Sequence, residues 1–185
     1  MNTTTLIVIV VAVVALIAAA AFVFIRERRS HALRSRFGPE YRRAVDETGD
    51  RRHAEAALRE RERQVERLEL RTLTRAEADT FTRDWRSVQS RFVDEPGLAI
   101  RRADQLITDL MVARGYPMAD FEQRADVLSV DHATLVHNYR VAHAVAGRHA
   151  DGEANTEDLR QAMIHYRNLF DELIEEGPVE HRKAS

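Results

Sequence analysis

An unbroken apolar stretch near the N-terminus constrains this chain more than any other feature of its sequence. Residues 6–25 read LIVIVVAVVALIAAAAFVFI and contain no charged side chain. A helix rises about 1.5 Å per residue, so a stretch of this length spans roughly 30 Å, the thickness of a bilayer's hydrocarbon core. We therefore predict a transmembrane helix over residues 6–25, preceded by a short tail at residues 1–5.

A cleaved signal peptide is the alternative interpretation of the same stretch. Residues 18–21 are all alanine, and such small residues can host a cleavage site. However, the first five residues hold no Lys or Arg for a basic leader region, and the apolar run continues through residues 22–25. A retained signal anchor is favoured, and a secreted, extracytoplasmic protein is expected if the segment is cleaved.

Charge is distributed unevenly along the rest of the chain. Residues 26–36 hold five Arg against one Glu, and the positive-inside rule then places residues 26–185 in the cytoplasm. Residues 72–176 hold twelve Arg against nineteen Asp and Glu, which argues against nucleic-acid binding because phosphates need a basic surface. The chain has no Cys, which excludes disulfides, thiol catalysis and Cys-ligated zinc.

Two segments separate the apolar stretch from the remaining chain. Residues 26–49 are predicted to form a basic juxtamembrane linker, interrupted at Gly38-Pro39, with a short helix at 40–47. Residues 50–71 predict a charged helix that begins at Asp50. Its narrow apolar seam fits a helix that packs on the rest of the protein or spaces it from the bilayer, and a coiled-coil dimer is the alternative. The seam positions are Ala54, Leu58, Val65 and Leu68, with Arg61 at one further position.

Residues 72–177 predict a compact five-helix bundle, followed by a flexible tail at 178–185. Thr74 and Glu77 form a capping box before the first helix, and helices of about 98–114, 118–128, 132–148 and 156–176 follow. Each has apolar residues at helical spacing, among them Trp85 and Met118, and Asp131 is the predicted N-cap of the fourth. No strand pattern is present, so the fold class is all-α.

Histidines are the first candidates for chemistry, and none of the eight lies in an HExxH motif or an i, i+4 pair. A metal site would have to pair His143 or His165 with ligands from another helix. The segments 137–140 (HNYR) and 165–167 (HYR) each place a Tyr on an apolar stripe beside His and Arg. They suggest an interaction face for an anionic ligand or a partner carboxylate, whereas core tyrosines are the ordinary interpretation. This candidate face consists of His137, Tyr139, Arg140, His143, His165, Tyr166 and Arg167.

Several segments together resemble a widespread family of uncharacterised bacterial proteins that are short and begin with an apolar segment. These segments are RSRFGPEYRRAVDETGDRRHAEAALRERERQVERL, DWRSVQSRFVDEP, DFEQRADVLSVDH and TEDLRQAMIHYRNLFDEL. The resemblance implies a bacterial membrane or secreted protein and no particular activity.

The sequence predicts an interaction or scaffold module, and no catalytic residue, cofactor or metal site is assigned. We expect a single-pass protein of the cytoplasmic membrane, held by residues 6–25, that binds an unknown protein partner or itself. A small-ligand or metal sensor is the alternative function. No G-x-S-x-G motif surrounds a Ser, and the acidic residues are spread over helix surfaces, so enzymatic activity is not expected.

Overall fold

The computed structural model describes residues 3–175, with side chains from residue 12 onward. This part of the chain is all helical, which confirms the predicted fold class. Its helices are α1 (Thr3–Phe37), α2 (Pro39–Thr48), α3 (Arg51–Glu66), α4 (Arg75–Arg91), α5 (Pro96–Ala113), α6 (Phe121–Leu128), α7 (Ala133–Ala150) and α8 (Thr156–Glu175).

Within the described residues, no helix combines the length and the hydropathy needed to cross a membrane. The structure therefore does not support the predicted span at 6–25, and the first part of that span, residues 6–11, lies outside the described side chains. The backbone of α1 is helical through this region. The predicted end of α8 at Gly177-Pro178 and the predicted tail at 178–185 also lie outside the described residues.

Helix α1 continues well beyond the apolar stretch. Residues 26–37 of the predicted basic linker form the last turns of α1, and residues 39–48 form α2, in agreement with the short helix predicted at 40–47. The physical reason is that α1 buries one face at its C-terminal end, with Ser30, Leu33 and Phe37 packed against the following helices. The predicted break at Gly38-Pro39 is confirmed: Gly38 has a φ of 46°, and Pro39 is the first residue of α2.

Helix α3 packs its narrow apolar face against α2 and α6. Ala54, Leu58 and Val65 are buried, in agreement with the predicted seam. The helix ends at Glu66, however, so Leu68 lies beyond it and is half-buried. Asp50 is the N-cap, as predicted, and its side chain accepts a hydrogen bond of 3.0 Å from the Arg52 backbone N–H. The charged helix is therefore packed on the rest of the protein.

The later helices follow the predicted order, with differences at their ends. The capping box of Thr74 and Glu77 is confirmed. Helix α6 begins only at Phe121, so Met118 lies outside it and is exposed rather than part of an apolar face. Asp131 is not the N-cap of α7; His132 holds that position, and the Asp131 carboxylate instead binds Arg36 at 3.1 Å.

The core is shared by both halves of the chain. Helices α5, α7 and α8 pack on one another, and α4 covers α5, with the Trp85 and Phe170 rings stacked at 4.8 Å. Helices α2, α6 and the end of α1 pack on α7 as well. Buried residues from α1, α2 and α3 belong to the same hydrophobic cluster as those of the predicted five-helix bundle.

Candidate functional site

The two tyrosines of the predicted interaction face are buried where α7 and α8 meet. Tyr139 and Tyr166 have no exposed surface, and their rings meet edge to face with centroids 6.2 Å apart. They bury large apolar rings in the shared core, as tyrosines on an apolar stripe usually do. Neither tyrosine is therefore available to a partner molecule.

Asp104 of α5 connects these helices through hydrogen bonds. Its Oδ1 accepts a bond of 2.9 Å from the Tyr166 hydroxyl and lies 3.1 Å from Nδ1 of His143. The His143 ring stacks on Phe121 of α6, with centroids 3.6 Å apart. A single carboxylate thus links α5, α7 and α8, and its position was not evident from the sequence because Asp104 is distant from both partners along the chain.

Electrostatics keep both tyrosines in their neutral form. Burial, followed by the nearby Asp104 charge, raises the pKa of Tyr166 and of Tyr139 above the ordinary value. The neutral Tyr166 hydroxyl donates a hydrogen bond to the Asp104 carboxylate. The Tyr–Asp–His arrangement is suited to fixing the helices relative to one another.

Arg140 of the predicted face points away from this cluster, into a network of ion pairs. Its guanidinium binds Asp126 at 2.8 Å, contacts the Glu122 carboxylate and lies 3.5 Å from Oε2 of the buried Glu40. Asp126 also binds Arg61 of α3 at 2.9 Å. Burial raises the pKa of Asp126, and the charges of Arg61 and Arg140 oppose that shift. The network joins α2, α3, α6 and α7.

The remaining members of the predicted face are exposed or half-buried. His137 and Arg167 are exposed, and Arg167 lies 3.5 Å from Asp171 in the next turn of α8. Burial and the neighbouring His137 lower the pKa of His165. Among the described residues, no three His, Asp or Glu side chains converge as a metal site would require.

The predicted face is thus divided. Tyr139, Tyr166 and His143 belong to the cluster around Asp104, and Arg140 belongs to the ion-pair network. His137 and His165 are neighbours near the surface, and Arg167 is exposed.

A second polar cluster, which sequence reasoning missed, fixes α1 to the rest of the protein. Glu55 of α3 is only 6% exposed. Its carboxylate accepts hydrogen bonds from Ser30 at 2.5 Å, Tyr41 at 3.0 Å, Arg51 at 3.0 Å and Arg59 at 3.2 Å. The spacing of residues 51, 55 and 59 on one helix face was the available signal, but the same spacing is typical of solvated helix surfaces.

Hydrogen bonds decide the charge state of this carboxylate. Burial alone would raise the pKa of Glu55, but the hydrogen bonds from Ser30, Arg51 and Tyr41 outweigh it and lower the pKa below its ordinary value. Glu55 is therefore an anion at neutral pH, and it connects α1, α2 and α3.

A groove opens between α1 and α3 beside Glu55, with a volume of about 550 Å³. Volumes of about 300–1,000 Å³ are typical of small-molecule sites. Two exposed apolar side chains of α1, Phe22 and Ile25, form one part of its wall. The remaining wall is polar and consists of Arg26, Arg29, Arg52, Glu55 and Arg59.

Comparisons with known proteins give no relative for this chain. No family model, no curated protein and no solved structure matches it. The resemblance of its segments to short bacterial membrane or secreted proteins therefore stays a prediction, and function has to be argued from the geometry.

Proposed function

We propose that this protein is a membrane-anchored helical module that acts by binding rather than by catalysis. The observation that carries the proposal is the composition of α1. One uninterrupted helix has apolar side chains exposed over residues 12–25 and a buried face over residues 30–37. The helix would therefore join an apolar anchor directly to the folded bundle.

The exposed apolar surface of α1 is unfavourable in water. Large side chains of residues 12–25 are half or more exposed, among them Leu16 and Phe22. Each fully exposed large apolar side chain costs about 1.5–3 kcal/mol relative to a buried one. No other helix of the described chain covers this surface, and the same apolar character extends through residues 6–11 of the sequence. A lipid bilayer would cover the whole stretch.

The charge pattern supports an inward orientation. Five arginines follow the apolar stretch directly, and the short segment before it holds no Lys or Arg. We propose that the bundle faces the bacterial cytoplasm. An excess of acidic residues over residues 72–176 favours a protein partner with a basic surface.

Membrane extraction tests the anchor. The Ala15→Arg/Ala19→Arg variant places two charges in the apolar stretch, and each charge costs about 2.5–3.5 kcal/mol at the centre of a membrane helix. We expect the wild-type chain to remain in membranes after alkaline extraction and this variant to be lost from them. The Ala56→Arg/Ala57→Arg variant adds the same charge to exposed positions of α3 and should behave like the wild type. Release of the wild-type chain would refute the anchor.

Thiol labelling tests the orientation, because the chain has no native cysteine. Glu153→Cys introduces one in the exposed turn between α7 and α8. We expect protection from a membrane-impermeant maleimide in intact bacteria and labelling after lysis. Labelling in intact cells would place the bundle outside, and a shorter mature chain would indicate cleavage.

A further inference from the structure

The groove between α1 and α3 is formed by matching faces of two helices. Its α1 side consists of residues 22, 25, 26 and 29, and its α3 side consists of residues 52, 55 and 59. Both sets have the spacing of a single helix face, so each helix presents a continuous stripe to the groove. The groove lies where α1 leaves the bundle. Ser30, the residue after Arg29, and Leu33, one turn after Arg29, are already buried.

Positive charge in this groove is only partly compensated. The single acidic residue of its wall, Glu55, already binds Arg51 and Arg59. Arg26, Arg29 and Arg52 form no ion pair with any side chain of residues 12–175, although the charge of Arg52 also acts on Asp50 outside the groove wall. These three guanidinium groups border the same groove, and each can donate two parallel hydrogen bonds to an oxyanion.

The groove is also amphipathic. Phe22 and Ile25 are exposed by 67% and 50%, and they continue into the exposed apolar stretch of α1. An occupant that complements both parts needs an anionic group beside a hydrocarbon chain. A soluble phosphate would satisfy the arginines but would leave the apolar part of the wall in contact with water.

We propose that this groove binds the phosphate headgroup of an anionic phospholipid, with an acyl chain lying along α1 at Phe22 and Ile25. This inference rests on the proposed membrane anchor, which places the arginines at the level of the lipid headgroups. A bound headgroup would bridge α1 and α3 and fix the bundle relative to the bilayer surface. The site goes beyond a general attraction of basic residues to membranes, because α3 supplies one of the three arginines and lies outside the basic block of residues 26–36.

Lipid retention by the purified full-length chain tests the site. The chain in mild detergent is mixed with phosphatidylglycerol or phosphatidylcholine of equal chain length, and bound lipid is counted by native mass spectrometry. We expect one phosphatidylglycerol to be retained in preference to phosphatidylcholine. The Arg26→Gln/Arg29→Gln/Arg52→Gln variant should lose about tenfold or more of that retention. Inorganic phosphate should not compete at equal concentration; if it does so fully, the occupant is a free phosphate and the lipid assignment is wrong.

A charge-matched control separates a defined groove from diffuse attraction. The Arg75→Gln/Arg86→Gln/Arg101→Gln variant removes the same charge from exposed positions on α4 and α5. It should retain lipid like the wild type, and equal loss in both variants would overturn the proposal. The conservative variant Arg26→Lys/Arg29→Lys/Arg52→Lys, checked for helix content, should keep part of the preference. Membrane extraction tests the anchor independently of the lipid site. If the chain leaves membranes but still selects phosphatidylglycerol, the proposed anchor is wrong and the proposed lipid site stands.

Discussion

At the residue scale, buried charges are the groups on which this fold depends most. Glu55 and Glu40 are both nearly inaccessible to solvent, at 6% and 2% exposure. A buried carboxylate is tolerated only where cations and donors surround it. Glu55 has a complete set of donors, whereas Oε2 of Glu40 accepts no hydrogen bond and lies 3.5 Å from Nε of Arg140.

Glu55→Gln tests the cluster that holds α1. The glutamine amide cannot accept hydrogen bonds from all the groups that donate to the carboxylate. The substitution also removes the negative charge that pairs with Arg51 and Arg59. We expect the free energy of unfolding at neutral pH to fall by about 2–4 kcal/mol, since loss of one partner from a buried pair is costly. Chemical denaturation of the full-length chain in detergent measures the change. Glu60→Gln on the exposed side of the same helix is the control and should have little effect.

The difference in stability between the wild type and Glu55→Gln should also depend on pH, in a direction that the pKa of Glu55 determines. The pKa of Glu55 is lower in the folded chain than the ordinary value of 4.5. The contribution of the Glu55 carboxylate to folding stability is therefore complete above pH 4.5. It is lost as the pH falls through the lowered folded pKa. The stability difference between wild type and Glu55→Gln should therefore narrow under acid conditions. A difference that stays constant from neutral pH to pH 3 would contradict this assignment.

Gly115→Ala tests a backbone requirement after α5. Gly115 has a φ of 94°, and an added Cβ would lie 2.6 Å from the backbone oxygen of Glu69. The positive φ is strained for alanine, and the contact is with backbone rather than with a side chain that could move away. We therefore expect a loss of about 1–3 kcal/mol of stability. Gly147→Ala is the matched control, because Gly147 is helical with no atom within 4 Å of the added Cβ. It should be neutral or stabilise by up to about 1 kcal/mol.

At the element scale, ion pairs join helices that are remote along the chain. Arg140 of α7 contacts residues of α2 and α6, and Arg36 of α1 binds both Glu62 of α3 and Asp131 before α7. These contacts connect α1 and α2 to α7, and the pair of Arg36 with Glu62 connects α3 to α1. An isolated surface pair contributes little, but a buried pair becomes costly when one partner is removed.

Arg140→Ala tests the ion pairs that Arg140 forms between helices. The substitution leaves the buried carboxylate of Glu40 without its cation, and it leaves the half-buried Asp126 paired with Arg61 alone. We expect stability to fall by about 3–5 kcal/mol. Arg167→Ala, which removes an exposed pair with Asp171, should cost about 0–1 kcal/mol. If a urea titration gave similar losses in the free energy of unfolding for the two variants, the ion pairs of Arg140 would not stabilise the fold.

Local signals explain which elements could be predicted from the sequence. Helix starts at Asp50 and Thr74 were predictable because an N-cap and its partner lie within three residues. The start of α7 was predicted to within one residue, but its N-cap was not, because Asp131 binds Arg36, a residue from a distant part of the chain. For the same reason, the HNYR and HYR segments could not reveal that their tyrosines meet in the core while Arg140 faces α2 and α6. Nothing local distinguishes the buried Glu55 from a solvated helix carboxylate.

At the scale of the whole molecule, the end of α1 is part of the core. Phe37 is fully buried, and Leu33 is nearly so, in the hydrophobic cluster that also contains α5, α7 and α8. A helix that belongs to the cooperative core cannot pivot freely on a linker. If the proposed anchor is correct, the orientation of the bundle relative to the membrane would be fixed by α1 itself.

Phe37→Ala distinguishes an integrated α1 from a detachable tether. Removal of a fully buried Phe side chain typically costs about 3–5 kcal/mol. If α1 is integrated, this loss lowers the stability of the whole bundle, and amide hydrogen exchange accelerates together at residues 30–37 and in α5. Phe24→Ala is the control on the same helix; Phe24 is 58% exposed, and its removal should leave both regions protected. Faster exchange confined to α1 would mean that α1 detaches while the bundle stays folded, and the bundle would then be free to reorient beneath its anchor.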